Sequence, residues 1–194
     1  MQPGDTLVKI ARRMGTTVEQ IKLANHKQDD FLRAGERIII SWRKPVIVID
    51  KEALKLYLLY GGKVVRAYPV GIGRSDGETG LSATPEGDFE IATKLKNPPW
   101  YRRGERIEYG DPRNILGTRW MGFKPTAELH GYGIHGTTQP ETVPGRYSNG
   151  CIRMLNRDVE ELFEWVPRGT KVYIRARWRP SGSSPSGSEE TTGR

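Results

Sequence analysis

The 194-residue sequence predicts a mainly β domain with one long loop and one helix, preceded by a small α+β module. Three observations support this fold class. Residues 1–41 place apolar side chains at helical spacing, whereas the chain from Val46 onward alternates in the manner of β-strands. The chain also contains 23 glycines and 13 prolines, which suits a β protein with many loops. Its length allows one ordinary domain and a small additional unit.

The first unit is predicted to contain two helices and a strand. A turn at Pro3–Thr6 leads into a helix from Leu7 to Met14, with Asp5 or Thr6 as N-cap and Gly15 as its end. A second helix restarts at Thr16–Gln20, where Glu19 or Gln20 is placed for a capping box, and Asn25 closes it. After a turn at Ala34-Gly35, the run Arg37–Ile40 is predicted to be a strand.

Three short patterns in this unit carry a family resemblance: Gly-Asp-Thr-Leu at 4–7, Leu-Ala-Asn at 23–25, and Leu-x-x-Gly-x-x-Ile-x-Ile at 32–40. With them the unit resembles a LysM module. That family folds as βααβ and binds glycans that contain N-acetylglucosamine. The usual first strand is absent before Gly4, so we expect a truncated module, which fits the absence of an export leader. A small helical cap unrelated to glycans is the alternative.

From Val46 the predicted elements are mostly strands. They follow a short basic linker at Ser41–Pro45, and a Gly61-Gly62 turn between two of them indicates a hairpin. A further turn at Thr84–Gly87 precedes the fourth strand. The predicted strands are Val46–Asp50, Leu54–Tyr60, Val64–Gly71, Asp88–Thr93, Gly131–His135 and Lys171–Arg175.

Residues 94–126 are rich in Pro, Gly, Arg and aromatic side chains, and we predict a functional lid or a disordered loop there. A helix is expected over Arg157–Val166, with Asn156 as N-cap. The predicted domains are residues 1–41, residues 46–178 and a disordered Ser/Gly/Pro-rich tail at residues 179–194.

Composition excludes several classes of function. The net charge of +8 favours a polyanionic setting, but the basic residues are scattered and no nucleic-acid-binding signature is present. No apolar run is long enough to cross a membrane, and no secretory signal is visible. One cysteine and three histidines, without metal-ligand spacing, give no metal site. We therefore expect no nucleic acid, no metal and no cofactor.

The residues that indicate chemistry are Cys151, the single cysteine, and His135, sixteen positions before it. A thiolate is the reactive form of cysteine, so a catalytic cysteine needs a base or a positive neighbour, and Arg153 lies two positions beyond Cys151. A cysteine paired with a histidine is a recurrent way of attacking acyl groups. The alternative is that Cys151 is a small buried hydrophobe.

The pattern Tyr-Gly-Ile-His-Gly at 132–136, with Ser-Asn-Gly-Cys-Ile-Arg-Met at 148–154, resembles the signature of the L,D-transpeptidase (YkuD) catalytic domain. The resemblance covers about residues 46–175 and includes the segments Tyr68–Gly73, Ala83–Gly87 and Leu116–Trp120. It implies a YkuD-like β-sandwich or barrel that cross-links peptidoglycan. Members attack the amide between a diaminopimelate and the terminal D-alanine of a stem peptide, then transfer the acyl group to a second stem.

The resemblance also implies roles for individual residues. Cys151 becomes the nucleophile, His135 its general base, and the Gly136 carbonyl the group that fixes the imidazole tautomer. The backbone N–H groups of Gly150 and Cys151 form the expected oxyanion hole. The remaining implied residues are Ser148 within the loop, and Arg153, Asn149, Tyr132 and Trp100 in contact with substrate.

Two of these assignments carry alternatives. Ser148 hydrogen-bonds either within the loop or to His135. Arg153 either binds substrate carboxylates or forms a structural ion pair that holds the loop. Asn149 stands where many members have a histidine and cannot titrate, which leaves His135 as the base. The other histidines, His130 and His26, are expected to be a core or surface residue and an exposed helical residue, respectively. Trp120 is expected to pack the lid.

The leading functional hypothesis is acyl transfer that forms 3-3 cross-links, in a monomeric enzyme of the periplasm or cell wall. The implied partners are stem peptides and glycan strands, and the implied roles are wall biogenesis, cell shape and binding of carbapenems. An L,D-carboxypeptidase or hydrolase would use the same residues with water as acceptor. A wall-binding protein with an inactive catalytic fold is the third hypothesis, and the intact pair of Cys151 and His135 argues against it.

Overall fold

The computed structural model describes residues 4–33, 35–75, 83–127 and 129–179. The tail predicted at residues 179–194 lies outside this part of the chain except for Arg179, as does part of each turn predicted at Pro3 and Ala34. Two short helices form the N-terminal module, α1 (Leu7–Met14) and α2 (Val18–Ala24). They enclose a small apolar core of Leu7, Ile10, Ala11 and Ile21.

Side-chain caps begin both helices. Thr6 accepts a hydrogen bond from the Lys9 N–H at 3.2 Å, so Thr6 rather than Asp5 is the N-cap of α1. Thr17 caps α2 by accepting from the Gln20 N–H, also at 3.2 Å. The reciprocal half of the predicted capping box is wrong for Gln20. Its side-chain oxygen instead accepts from the Thr16 hydroxyl at 2.8 Å. Its amide nitrogen donates to the Trp165 carbonyl oxygen at 2.9 Å, in a buried contact with the second module.

The strand predicted at Arg37–Ile40 is wrong, since these residues form no strand. A strand is recognised by a ladder of hydrogen bonds to a neighbouring strand. Here the side-chain amide of Asn25 takes the neighbour's place, because it accepts from the Ile39 N–H and donates to the Ile39 carbonyl, each at 2.8 Å. The segment is thus held extended against α2 by one side chain.

The second module consists mainly of strands. They are β1 (Val46–Asp50), β2 (Lys55–Tyr60), β3 (Lys63–Pro69), β4 (Gly71–Gly73), β5 (Gly87–Lys96), β6 (Trp100–Arg102), β7 (Glu105–Ile107), β8 (Arg119–Phe123), β9 (Gly133–His135), β10 (Gly145–Ser148), β11 (Ile152–Arg153) and β12 (Lys171–Arg175). Within the described residues, ten of them form a mixed sheet in the order β10-β4-β11-β9-β8-β5-β12-β1-β2-β3, and β6 and β7 form a separate hairpin. The buried face of the sheet carries the main core, which includes Ile47, Leu56, Ile91 and Ile134.

The long loop predicted at residues 94–126 is largely wrong. Strand β5 continues to Lys96, residues 100–107 form the β6-β7 hairpin, and β8 pairs with both β5 and β9. The prediction failed because charged and proline residues interrupt the apolar alternation between these short strands. As a consequence, Trp120 belongs to the central sheet rather than to a lid.

Helix α3 (Asn156–Trp165) packs on the sheet through Val159, Leu162, Phe163 and Trp165. Its N-cap is Leu155, and no side chain caps it, so the prediction of Asn156 as N-cap is wrong. At the other end, the Lys94 ammonium donates to the Phe163 and Val166 carbonyl oxygens, each at 2.5 Å. A cation suits the negative end of the helix dipole. A one-turn 3-10 helix at Pro140–Thr142 precedes β10.

None of the helices in the described ranges is both long enough and apolar enough to span a membrane.

Candidate active site

The parallel pairing of β9 with β11 places the two segments that carry the candidate catalytic residues side by side. Ile134 lies opposite Ile152, and both are buried in the core. Because side chains alternate between the two faces of a strand, His135 and its partner Arg153 point to the other face. Cys151 lies immediately before β11, one residue from Ile152, so its segment runs beside the strand that ends at His135. One strand pairing thus brings together two segments whose candidate residues lie sixteen positions apart in the sequence.

His135 is held in one tautomer by the backbone. Its ring is 2% exposed, and Nδ1 lies 2.5 Å from the carbonyl oxygen of Gly136. A carbonyl oxygen can only accept, so Nδ1 carries the proton and Nε2 is the basic nitrogen. Burial lowers the pKa of His135 to about 4, the carbonyls of Gly136 and Leu116 oppose that shift, and the Arg153 charge adds to it. The imidazole is therefore neutral at pH 7.

The thiol of Cys151 is half-buried at the end of the loop. The thiol donates to the Gly131 carbonyl oxygen, with Sγ 3.6 Å from that oxygen. Burial raises the pKa of the Cys151 thiol above its ordinary value, whereas the Gly133 backbone and the Arg153 charge lower it. At rest, both the Cys151 thiol and the His135 imidazole are accordingly neutral.

The loop before Cys151 is stabilised by its own hydrogen bonds. The Ser148 hydroxyl donates to the Cys151 carbonyl at 2.6 Å and accepts from the Gly150 N–H at 3.1 Å. The buried Thr84 hydroxyl donates to the Gly150 carbonyl at 2.9 Å. Ser148 therefore lies within the loop network, and the Gly150 N–H is already engaged. Its use in the expected oxyanion hole would require this bond to be exchanged, and that role stays a prediction. The Cys151 N–H is the other donor expected there.

Gly150 has a conformation that only glycine adopts readily, with φ at +128°. A Cβ atom at this position would overlap the ring of Tyr132 and lie 2.9 Å from the Ala83 carbonyl oxygen. The half-buried Tyr132 ring thus covers the loop directly beside Cys151. The glycine therefore allows three segments of the chain to meet next to Cys151, at Gly150.

Arg153 is 8% exposed and contacts neutral oxygens. One terminal nitrogen lies 3.4 Å from Gln139 Oε1 and 3.3 Å from Thr142 Oγ1, and the Nε atom is buried without a partner in the described structure. No carboxylate of the described residues lies within ion-pair distance of Arg153, and the charge of Glu141 acts on it from farther away. A buried guanidinium with an unused donor is suited to accept an anionic group.

The other expected site residues are placed as follows. Asn149 is exposed, and its Oδ1 accepts from an Arg74 terminal nitrogen at 2.7 Å. Trp100 lies in the β6-β7 hairpin under the Arg102 guanidinium, 5.3 Å from the ring centroid, and no described contact joins it to the Cys151–His135 pair. His130 is exposed and precedes β9, so it is not on a strand with His135. His26 is exposed as expected, but it follows α2 rather than lying within it.

Comparison with known families agrees with this geometry. Residues 44–174 match the model of the L,D-transpeptidase catalytic domain, and residues 2–41 match that of the LysM domain. The chain belongs to the L,D-transpeptidase family. The resemblances identified from the motifs, and the mainly β fold class with a small α+β module, are confirmed.

Several relatives have the same assignment. The chain is 41% identical over 131 residues to YqjB of Bacillus subtilis, assigned as an L,D-transpeptidase, and covers 70% of that protein. It is 34% identical over 183 residues to YkuD of Bacillus licheniformis, with the same assignment, and covers 96% of it. A solved L,D-transpeptidase of Mycobacterium smegmatis shares the fold at 19% identity, with a TM-score of 0.54 over 69% of this chain and 59% of that chain.

Two residues that the structure places beside His135 and Gly136 were not predicted from the sequence to lie there. Trp120 lies directly opposite His135 across β8 and β9, and its indole stacks on the imidazole. Asn156 joins two loops beside Gly136 through its side-chain oxygen. Both roles depend on strand register and tertiary packing, and neither residue has a local signal that points to the site. No cluster of three or more His, Cys, Asp or Glu side chains suited to a metal occurs in the described ranges.

Proposed function

We propose that this L,D-transpeptidase forms 3-3 peptidoglycan cross-links through a thioester on Cys151. The observation that supports the proposal is the β9-β11 pairing, which puts the segment of Cys151 next to that of His135, while the Gly136 carbonyl holds Nδ1. With Nδ1 occupied, Nε2 is the nitrogen available to the thiol. A neutral pair at rest means that the thiol is deprotonated as it attacks, because burial disfavours both charged forms.

In the acylation step, the proton of Cys151 moves to His135 Nε2 as Sγ bonds to the diaminopimelate carbonyl carbon. The carbonyl oxygen gains the negative charge, and the Cys151 N–H is placed to donate to it. When this intermediate collapses, the C–N bond to D-alanine breaks. The leaving amine takes the proton from His135, and D-alanine departs. The products are a thioester and a neutral imidazole.

In the second step, the side-chain amine of an acceptor stem attacks the thioester. His135 takes a proton from that amine as the new C–N bond forms, and the C–S bond then breaks. The sulfur recovers the proton from His135, which restores the resting pair. Water in place of the amine would give the hydrolysed stem, so the two outcomes differ only in the acceptor.

We propose that Arg153 binds a carboxylate of the donor stem. Its buried Nε and its weakly engaged terminal nitrogen supply donors beside Cys151, and its hydrogen-bond contacts are neutral oxygens. Asn149 and Tyr132 border the same loop and are proposed to contact the stem peptide. The LysM module is proposed to hold the glycan strand, which assigns the protein to the cell envelope and to wall biogenesis.

The intact mass of the protein after incubation with imipenem tests the nucleophile. We expect one adduct on the wild type and none on Cys151→Ala. His135→Ala is expected to react at least tenfold more slowly, because it lacks the base. His130→Ala, which changes an exposed histidine five positions away, is the matched control and should react like the wild type. Equal adducts on the wild type and Cys151→Ala would contradict the proposal.

Product analysis separates transfer from hydrolysis. With a purified disaccharide-tetrapeptide as both donor and acceptor, we expect a cross-linked dimer and one released D-alanine per cross-link. Release of D-alanine with tripeptide alone would instead identify an L,D-carboxypeptidase. Neither dimer nor D-alanine, from a protein that does bind wall glycans, would identify an inactive binding protein.

A further inference from the structure

The side-chain oxygen of Asn156 joins two loops beside the site. It accepts from the backbone N–H of Thr137 at 3.0 Å and from that of Thr118 at 3.2 Å. Thr137 follows Gly136 in the chain, and Thr118 precedes the strand that carries Trp120. Asn156 itself is the first residue of α3. One oxygen on a packed helix therefore fixes the ends of both β8 and β9.

The Thr137 N–H and the Gly136 carbonyl belong to the same peptide group. A trans peptide is planar, and its C=O and N–H bonds point in opposite directions. The N–H end is held by Asn156, and the C=O end faces His135 Nδ1. The position of Asn156 Oδ1 therefore sets the direction in which the Gly136 carbonyl points. Hydrogen bonds in such a chain also polarise one another.

Close packing leaves this arrangement little freedom. A Cβ atom at Gly136 would overlap Asn156 Oδ1 and lie 3.3 Å from a Val159 methyl group. The same oxygen also leaves no room for a Cβ atom at Gly117. In addition, α3 has no side-chain cap, although an asparagine at its start is of a type that commonly supplies one. The amide is thus used for the loops instead of for its own helix.

We propose that Asn156 is a positioning residue for His135, acting through the Gly136–Thr137 peptide. The role of Asn156 in the reaction rests on the proposed function, whereas its control of the His135 tautomer does not. Two hydrogen bonds make up this relay: the Thr137 N–H donates to Asn156 Oδ1, and His135 Nδ1–H donates to the Gly136 carbonyl. The relay takes the place that a carboxylate occupies in a Ser-His-Asp triad. It keeps the proton on Nδ1 and leaves Nε2 free to receive the proton of Cys151.

Nitrogen NMR of histidine-labelled protein tests the relay without any turnover. In the wild type, we expect His135 to be observed as the Nδ1–H tautomer. Asn156→Ala removes the acceptor and is expected to populate the Nε2–H tautomer. Asn156→Asp retains an acceptor oxygen of the same shape and should restore the Nδ1–H form. Asn25→Ala is the matched control, because Asn25 also ties two backbone groups together, but in the first module.

Alkylation of Cys151 by iodoacetamide supplies the chemical readout. We expect Asn156→Ala to react about tenfold more slowly than the wild type, the factor of roughly one net hydrogen bond. Asn156→Asp is expected within about threefold, and Asn25→Ala is expected to be unchanged. Far-UV circular dichroism and thermal melting establish that each variant is folded under the conditions of measurement.

Unchanged His135 nitrogen spectra in Asn156→Ala would overturn the relay. So would equal losses in Asn156→Ala and Asn156→Asp, because only the first removes the acceptor. Failure of the proposed function has a different signature, since wild-type Cys151 would then form no imipenem adduct while the nitrogen spectra still decide the role of Asn156.

Discussion

The imidazole of His135 lies against the indole of Trp120, with ring centroids 5.9 Å apart and planes inclined by 26°. The two residues face each other across the β8-β9 ladder. An aromatic face stabilises a cation placed over it, and the indole is the most effective of the aromatic side chains. His135 becomes positive only when it accepts the thiol proton, so the indole is placed to stabilise the reacting state more than the resting state.

Trp120→Leu is therefore expected to slow thioester formation with imipenem by about tenfold, the middle of the range for cation–π contacts. Trp120→Phe keeps an aromatic face and should slow thioester formation by less than about threefold. Stopped-flow absorbance of the carbapenem gives the rate. Tyr101→Leu, which removes an exposed aromatic side chain from β6, is the control. If Trp120→Leu and Tyr101→Leu reacted alike, the stacking would have no catalytic effect.

Burial of His135 predicts a loss of stability in acid. Its folded pKa of about 4 lies below the unfolded value of 6.5, so between these values the unfolded chain binds a proton that the folded one does not. The contribution is complete above pH 6.5 and lost as the pH falls towards 4, by about 3 kcal/mol in total. Urea unfolding at several pH values should show this slope in the wild type, reduced in His135→Gln and retained in His130→Gln. Identical slopes in all three proteins would place the cause elsewhere.

The crowding at Gly150 predicts a larger cost for alanine there than at another glycine with positive φ. Gly150→Ala combines backbone strain with overlap against Tyr132, and we expect about 2–4 kcal/mol of destabilisation and loss of imipenem acylation. Gly62, in the β2-β3 turn, has φ at +81°, and a Cβ atom added there would meet no heavy atom within 4 Å. Gly62→Ala should cost about 1 kcal/mol and leave acylation intact. Comparable losses in both variants would show that strain alone is responsible.

The buried contact between Gln20 and the Trp165 carbonyl predicts that the first module stabilises the second. Gln20→Ala leaves that carbonyl without its partner, and we expect about 1–3 kcal/mol of destabilisation together with faster proteolysis in the 41–45 linker. Glu19→Ala removes a neighbouring surface charge and should change stability by less than about 0.5 kcal/mol. A wild-type unfolding curve for Gln20→Ala would mean that the modules are only tethered.

The catalytic candidates were predictable because a short motif carries them. Ser148, Gly150 and Cys151 are close in sequence, and His135 lies on a strand whose apolar neighbours mark it as buried. The role of Trp120 was not predictable, because its partner is chosen by the β8-β9 register, which no local pattern encodes. The hydrogen bond from the Gly150 N–H to the Ser148 hydroxyl was likewise not predicted, because only the folded structure defines which acceptor a backbone N–H in this loop faces.

Errors in the fold have the same origin. The run Arg37–Ile40 has strand composition but is held by the Asn25 side chain, and Asn156 has cap composition but turns away from its helix. In both cases a side-chain amide satisfies backbone groups that secondary structure usually satisfies. Local propensity indicates which backbone conformation is favoured, and it does not indicate which partner is present.

Helix α3 of the second module also contacts the first module. The carbonyl of its last residue, Trp165, accepts from Gln20, and its first residue, Asn156, holds the loops beside His135. The two modules are therefore unsuited to exchange as independent cassettes. A chimera that swaps residues 4–41 for a foreign domain would strip a hydrogen bond from the last turn of the helix that begins at the reaction centre. Grafting would succeed best when the incoming domain brings its own donor to the Trp165 carbonyl.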